Sequence, residues 1–344
     1  MRALSFSRHG GLDELALVEL PPPEPAPGEV RIALRTAALN HLDLFVLGGL
    51  PGLTVEFPHV GGADGAGVVE AVGEGVSGVR VGDEVVFNPG LSCGECRFCR
   101  RGDEALCVRF GIVGEHRRGT LAEAVCVPAA NLAPRPPHLG WEEAAAFPLT
   151  FLTAWRMLVT RAALTAGETV LIHGIGGGVA LAALAIAKKL GATVFVTSSS
   201  DDKLARAREL GADVTINYAT TDVAREVRSL TGKQGVEVVV ETVGAATWMT
   251  SLRCCARGGR IVTCGATTGP NPPEEIRVIF WNQLTILGST MGSARDWHEL
   301  VRAANEWGLR PVVDSVFPLE AGRQAYERLA SGQQFGKVVL VCHR

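Results

Sequence analysis

Residues 168–191 constrain the fold more than any other part of the chain. They read Glu-Thr-Val-Leu-Ile-His-Gly-Ile-Gly-Gly-Gly-Val-Ala-Leu-Ala-Ala-Leu-Ala-Ile-Ala-Lys-Lys-Leu-Gly. A short β-branched and aliphatic run over 169–172 leads through a glycine-packed turn over 174–178 into an almost wholly apolar helix over 179–190. Glycine lets the backbone reverse and approach a ligand, and the helix start presents unpaired N–H groups and the positive end of its dipole, where a pyrophosphate can be held. Gly174, Gly177 and Ala180 fall three apart with Gly176 and Gly178 between them, so two registers of the G-x-G-x-x-G/A fingerprint overlap. A lone match is weak; this one follows a strand, opens a helix and lies inside a longer strand–helix alternation, which is the setting the fingerprint requires. Gly174, Gly176, Gly177, Gly178 and Val179 are therefore the candidate cofactor-binding residues of the turn.

The surrounding chain agrees. Short apolar runs at 169–172, 193–198, 214–218, 236–240, 260–264 and 284–287 alternate with helical spacers, as at 203–210, and this implies a parallel, doubly wound sheet covered on both faces. Before residue 140 helices are scarce; 29–39 and 67–87 are rich in Val, Ile and Gly, the texture of a bent, barrel-like β unit. Residues 1–20 read as a strand pair about a His9-Gly10-Gly11 turn, and the proline run 21–28 as a connector. The last fifty residues return to β character. The expectation is a cofactor domain over 151–293 and a β-rich domain made of 1–150 joined by 294–344.

Composition excludes several functions. With 344 residues, 47% apolar and a net charge of -3, the chain can bury a large core but has no electrostatic footprint for nucleic acid. Its longest uncharged apolar stretch, 179–187, is about half of what a bilayer crossing needs, and the N-terminal residues lack the apolar core of a signal peptide. A soluble cytoplasmic protein acting on a small molecule, with neither membrane nor nucleic-acid partner, is expected.

Four of the nine cysteines lie close together: Cys93, Cys96, Cys99 and Cys107, separated by two, two and seven residues. Four thiols in one compact lobe match a closed tetrahedral zinc site with no position left for substrate, hence one structural zinc per chain. Too few apolar residues are present for this lobe to order itself. Reduced structural cysteines, or less readily in the cytoplasm a disulfide pair, are the plain alternative; an iron–sulfur cluster is a lesser one, because no proline follows the last cysteine. The other five cysteines sit in apolar settings and read as core.

These residues resemble the medium-chain dehydrogenase/reductase superfamily, which contains zinc alcohol dehydrogenases and quinone oxidoreductases. The resemblance rests on Leu39-Asn40-His41-Leu42-Asp43, on Gly61-Gly62-Ala63-Asp64-Gly65 and the residues through Gly73, on Val81-Gly82-Asp83-Glu84-Val85, on the four-cysteine lobe, on the glycine turn and on Gly258-Gly259-Arg260-Ile261-Val262. It spans essentially the whole chain. It implies an α/β architecture: a GroES-like β-rich catalytic domain, a Rossmann NAD(P)-binding domain, and homodimers or homotetramers formed through the Rossmann sheet. The departures are informative. Zinc-dependent members carry a cysteine at the position of Asn40, a histidine–glutamate pair at Ala63-Asp64 and a cysteine or aspartate near Leu149, while their proton-relaying hydroxyl falls at Leu42. Neither Ala63 nor Leu149 can ligate a metal, so the structural zinc is expected to be kept and the catalytic zinc lost, a combination closer to the quinone-oxidoreductase branch in its active site.

A catalytic zinc stabilises alkoxide as a Lewis acid. Without it, hydride delivery suits a conjugated acceptor, an enone or quinone, whose new charge spreads over several atoms. Asn40 is the candidate donor to the carbonyl oxygen; His41 can donate to cofactor phosphate or substrate, and Asp43 can orient His41 or cap local backbone. For Asp64 the plainer role is a structural acceptor. An irregular metal site from His41, Asp43, His59 and Asp64 is the competing arrangement. At the end of the second strand Ser198 stands near the acidic position of NAD-specific proteins, with Lys203 behind it, which favours NADP, although Asp201 or Asp202 can supply a ribose contact or cap the next helix. Ser198, Lys203 and Tyr218 complete the cofactor-binding candidates. Two other functions stay open: a zinc alcohol dehydrogenase, and a dinucleotide-binding protein without catalysis.

Overall fold

The computed structural model describes residues 1–343; Arg344, the final residue of the expected 294–344 segment, lies outside that description. The elements run β1 (Arg2–Phe6), β2 (Ala16–Glu19), β3 (Glu29–Ala38), α1 (His41–Gly48), β4 (His59–Val60), β5 (Asp64–Val72), β6 (Glu84–Phe87), β7 (Gly90–Leu91), β8 (Gly111–Ile112), β9 (Ala124–Pro128) and β10 (Leu132–Pro134). Next come α2 (Trp141–Ala146), α3 (Pro148–Trp155), β11 (Thr169–Ile172), α4 (Gly178–Lys189), β12 (Thr193–Ser198), α5 (Asp201–Glu209), β13 (Val214–Asn217) and α6 (Val223–Leu230). The remainder is β14 (Val236–Glu241), α7 (Trp248–Cys254), β15 (Cys255–Thr263), α8 (Ile276–Asn282), β16 (Thr285–Gly288), α9 (Ala294–Trp307), β17 (Val313–Pro318), α10 (Gly322–Ala330) and β18 (Lys337–Val341). Two compact units result: Met1–Leu152 with Gly292–Arg344, and Thr153–Met291.

The first unit is built on β3. This ten-residue strand alternates, burying Val30, Ile32 and Leu34 completely, and pairs antiparallel with β5, β9 and β18. The strand order β10-β6-β5-β3-β18-β17 wraps a core that includes Phe6, Leu39, Leu121, Tyr326 and Leu340. Register brings three distant parts of the chain together. Asp64 stands opposite Ala38, and the Leu39 N–H donates to the Val338 carbonyl at 2.9 Å, so the starts of β5 and β18 flank the end of β3.

One expectation fails here. The last fifty residues are not simply β: two helices, α9 and α10, stand between the strands. Ser293 starts α9, its hydroxyl accepting from the Asp296 N–H, and Trp297, Leu300 and Ala304 form a buried helical stripe. Ala325, Tyr326 and Leu329 do the same in α10.

The second unit carries a six-stranded all-parallel sheet ordered β13-β12-β11-β14-β15-β16, the doubly wound arrangement expected from the alternation. The order reverses between β11 and β14, and in such sheets ligands bind outside the carboxyl ends of the strands at this switch point. Helix α5 starts at Asp201, two residues before the expected 203, because the Ser200 hydroxyl accepts from the Lys203 N–H at 3.3 Å. Among the described residues no helix is long and apolar enough to cross a membrane.

Candidate functional site

The end of β3 gathers a closed cluster of buried charge. Lys337 opens β18 only 4% exposed, and its ammonium donates to Asn40 Oδ1 at 2.5 Å and to Asp64 Oδ2 at 2.9 Å. Asn40 Nδ2 donates to the same Asp64 oxygen at 2.9 Å, and the Leu149 N–H to Asp64 Oδ1 at 2.8 Å. The ammonium can only donate, so it fixes the Asn40 carboxamide with its oxygen toward Lys337 and its nitrogen toward Asp64. One of the two Asn40 amide hydrogens remains for another acceptor.

Asp43 is tied elsewhere. Its carboxylate accepts from the Asn40 N–H at 2.7 Å and the Gly62 N–H at 2.8 Å, stapling the start of α1 to the turn before β5. Burial pushes its carboxyl up to about 6 against the pull of those two N–H groups and Lys337. His41 does not lean on Asp43. It is exposed, yet crowded enough that desolvation, then the charge of Lys337, lower its pKa below the usual histidine value. His59 is buried against Phe6, ring centroids 5.4 Å apart, and donates from Nε2 to the Gly114 carbonyl at 3.0 Å. The irregular metal set is not assembled: Asp43, His59 and Asp64 each have their own partners, and among the described residues the one group of His, Cys, Asp or Glu arranged to hold a metal is the cysteine quartet.

In that quartet all four sulfurs lie within 4.8 Å of one another, with Cys96–Cys99 at 3.5 Å and Cys93–Cys99 at 3.9 Å. A tetrahedron with arms of about 2.3 Å has edges of about 3.8 Å, so the spacing fits zinc. Backbone N–H groups of Cys93 and Arg109 each donate to Cys107 Sγ at 3.3 Å, and those of Glu95 and Cys96 hold the Cys93 thiol down to about 6. These donors stabilise thiolates, the form a metal binds.

At the glycine turn, Gly174 and Gly176 take φ of +67° and +116°, backbone that side chains disfavour. The Ile175 N–H donates to the Thr197 carbonyl at 2.8 Å, and α4 begins at Gly178 with no side chain capping it. Gly177 is its N-cap and Val179 its second residue, so helix-start N–H groups are offered to a ligand. This fits a dinucleotide phosphate. Ser198 is buried, its hydroxyl accepting from the Ser200 N–H; Asp201 accepts from Asn217 Nδ2 at 2.7 Å; Tyr218, just past β13, is exposed.

Sequence reading missed Lys337, whose signal is a lone lysine opening a valine-rich strand in a chain with five lysines, and passed over His173 and Glu241 in the second unit.

Comparison with known proteins fits both units. Residues 26–137 match the alcohol dehydrogenase GroES-like domain and residues 178–306 the zinc-binding dehydrogenase domain. The chain is 36% identical to a zinc-type alcohol dehydrogenase-like protein of Schizosaccharomyces pombe and 33% identical to a quinone oxidoreductase of Pseudomonas aeruginosa, each over 99% of both chains. A solved NAD-dependent alcohol dehydrogenase superposes with a TM-score of 0.95 at 49% identity, covering 99% of each chain. The chain belongs to the zinc-binding dehydrogenases of the medium-chain dehydrogenase/reductase superfamily. It is an NAD(P)-dependent oxidoreductase of the alcohol dehydrogenase and quinone oxidoreductase type.

Proposed function

We propose that this enzyme reduces an activated carbonyl compound, an enone or a quinone, with NADPH and without a catalytic metal. One observation carries the reading: the carboxylate that would help hold a metal, Asp64, is already neutralised by the Lys337 ammonium at 2.9 Å, with Asn40 closing the triangle. Ala63 and Leu149 add no ligand, since Leu149 contributes only its backbone N–H.

The reduced nicotinamide, when bound, supplies hydride. Gly174, Gly176, Gly177, Gly178 and Val179 hold the dinucleotide phosphates, and Asn40 donates its remaining amide hydrogen to the carbonyl oxygen as charge develops there. His41, exposed and neutral, is the second donor near that oxygen. A conjugated acceptor needs no stronger electrophile, whereas an isolated ketone does. Cys93, Cys96, Cys99 and Cys107 hold the structural zinc. Lys203 and Ser198 take the 2′-phosphate side, and Asp201, occupied by Asn217, is not offered to a ribose hydroxyl. Strand β16 is one of the two end strands of the parallel sheet, and Ile276, Phe280 and Trp281 on α8, which leads into it, are 62–69% exposed, which supports a homodimer.

The test is steady-state turnover of NADPH with a quinone and an enone, set against alcohol oxidation with NAD and NADP. Reduction faster by at least about a hundredfold supports the reading, and dominant alcohol oxidation refutes it. That second outcome is the alcohol dehydrogenase reading, which the likeness to the NAD-dependent enzyme favours. Equal KM values for NADH and NADPH would remove the cofactor preference.

A further inference from the structure

Below the glycine turn, at the carboxyl ends of β11, β12 and β14, five buried or half-buried polar side chains form one connected chain. Glu241, wholly buried at the end of β14, accepts from the Val243 N–H at 2.7 Å, the Gly244 N–H at 3.0 Å, the Thr247 hydroxyl at 2.8 Å and the Ser251 hydroxyl at 2.6 Å. Ser251 Oγ lies 3.1 Å from His173 Nε2, His173 Nδ1 lies 3.3 Å from Thr197 Oγ1, and the Gly174 N–H donates to Thr197 Oγ1 at 3.3 Å.

Proton counting gives this chain a single direction. A carboxylate only accepts, so the one Ser251 hydrogen points to Glu241. Ser251 must then accept from His173, which places the imidazole proton on Nε2. His173 Nδ1 is left as an acceptor for the Thr197 hydroxyl, and Thr197 accepts from Gly174. Burial holds the imidazole below the usual histidine pKa, so it carries one proton.

We propose that Glu241, Ser251, His173 and Thr197 are positioning residues that fix the first amide of the glycine turn, and with it the left-handed Gly174, in the conformation that receives the pyrophosphate. The relay spans the two strands at which the sheet order reverses, so it ties the floor of the crevice to the turn above it. This inference rests on the glycine turn being the dinucleotide cradle.

Two measurements test it on the full-length protein. Histidine-selective 15N NMR at pH 7 reads the tautomer directly; His173 protonated at Nε2 is expected, and protonation at Nδ1 overturns the relay. Binding of ADP and of adenosine is then measured for the native chain and for Ser251→Ala, which leaves Glu241 three donors. Loss of the relay is expected to weaken ADP about tenfold, the scale of one net hydrogen bond, and to leave adenosine unchanged. Equal weakening of both ligands would show a merely structural role, and no change in either would show no role; each overturns the proposal. Should Ser251→Ala fold poorly, the near-isosteric Thr197→Val breaks the next link and carries the same expectation. Failure of the cradle itself looks different: ADP would bind without moving the amide resonances of residues 174–179 in the native chain.

Discussion

Lys337 sets the character of the candidate active site. A buried ammonium is tolerated only when paired, and here Asp64 and Asn40 receive it while Leu149 satisfies the remaining carboxylate oxygen. Replacing Lys337 by Met leaves the buried Asp64 carboxyl without its cationic partner, so Lys337→Met should lower stability by about 3–5 kcal/mol, and Lys337→Met with Asp64→Leu should recover most of it; urea unfolding of both variants checks this. His41 gives a pH prediction. Its folded-state pKa is depressed, first by desolvation and then by Lys337, so the stability it contributes is present above the ordinary histidine value and falls as pH drops through the lowered one. An NMR titration should find the ring neutral at pH 7 with its midpoint below 6.5, and a midpoint above 6.5 contradicts the assignment. Asn40 and Asp64 stood out in the sequence because their side chains break a ligand pattern. Their partner did not, since it lies 273 residues from Asp64 and only the pairing of β3 with β18 brings it near.

Elements were legible where one local rule dominated. All six strands of the parallel sheet appear as apolar runs, and the glycine turn announces the start of α4. Elements decided by tertiary contact were not. Helix α9 depends on its Ser293 cap, both α9 and α10 rest on stripes of only a few buried residues, and they sit between strands that dominate the texture of the C-terminal segment. The relay under the turn was illegible for a similar reason, because His173, Thr197, Glu241 and Ser251 come from four separate stretches of chain. The cysteine lobe is the opposite case, with spacing visible at once. Its segment buries little besides Cys99, Ala105 and Cys107 and leaves Leu106 and Val108 48% and 72% exposed, so a metal held by the four sulfurs would serve as its core. Removing zinc by chelation, or substituting Cys99→Ser, should render residues 90–112 sensitive to limited proteolysis while the parallel sheet stays protected. An unchanged cleavage pattern contradicts that role for the metal.

At the scale of the whole molecule the small net charge of -3 gives little repulsion between copies, and Phe280 and Trp281 of α8, the helix that leads into edge strand β16, are exposed. Trp281→Asp should therefore shift the protein to monomer in sedimentation velocity, and an unchanged assembly moves the interface elsewhere. The central claim is that one metal is kept for structure and the chemistry proceeds without another. Zinc per chain, measured by elemental analysis on freshly purified, tag-free protein, tests it most directly. One equivalent, lost together with the cysteine lobe in Cys99→Ser, is the predicted result; two equivalents, with one surviving that substitution, would place a catalytic ion in this enzyme and contradict the claim.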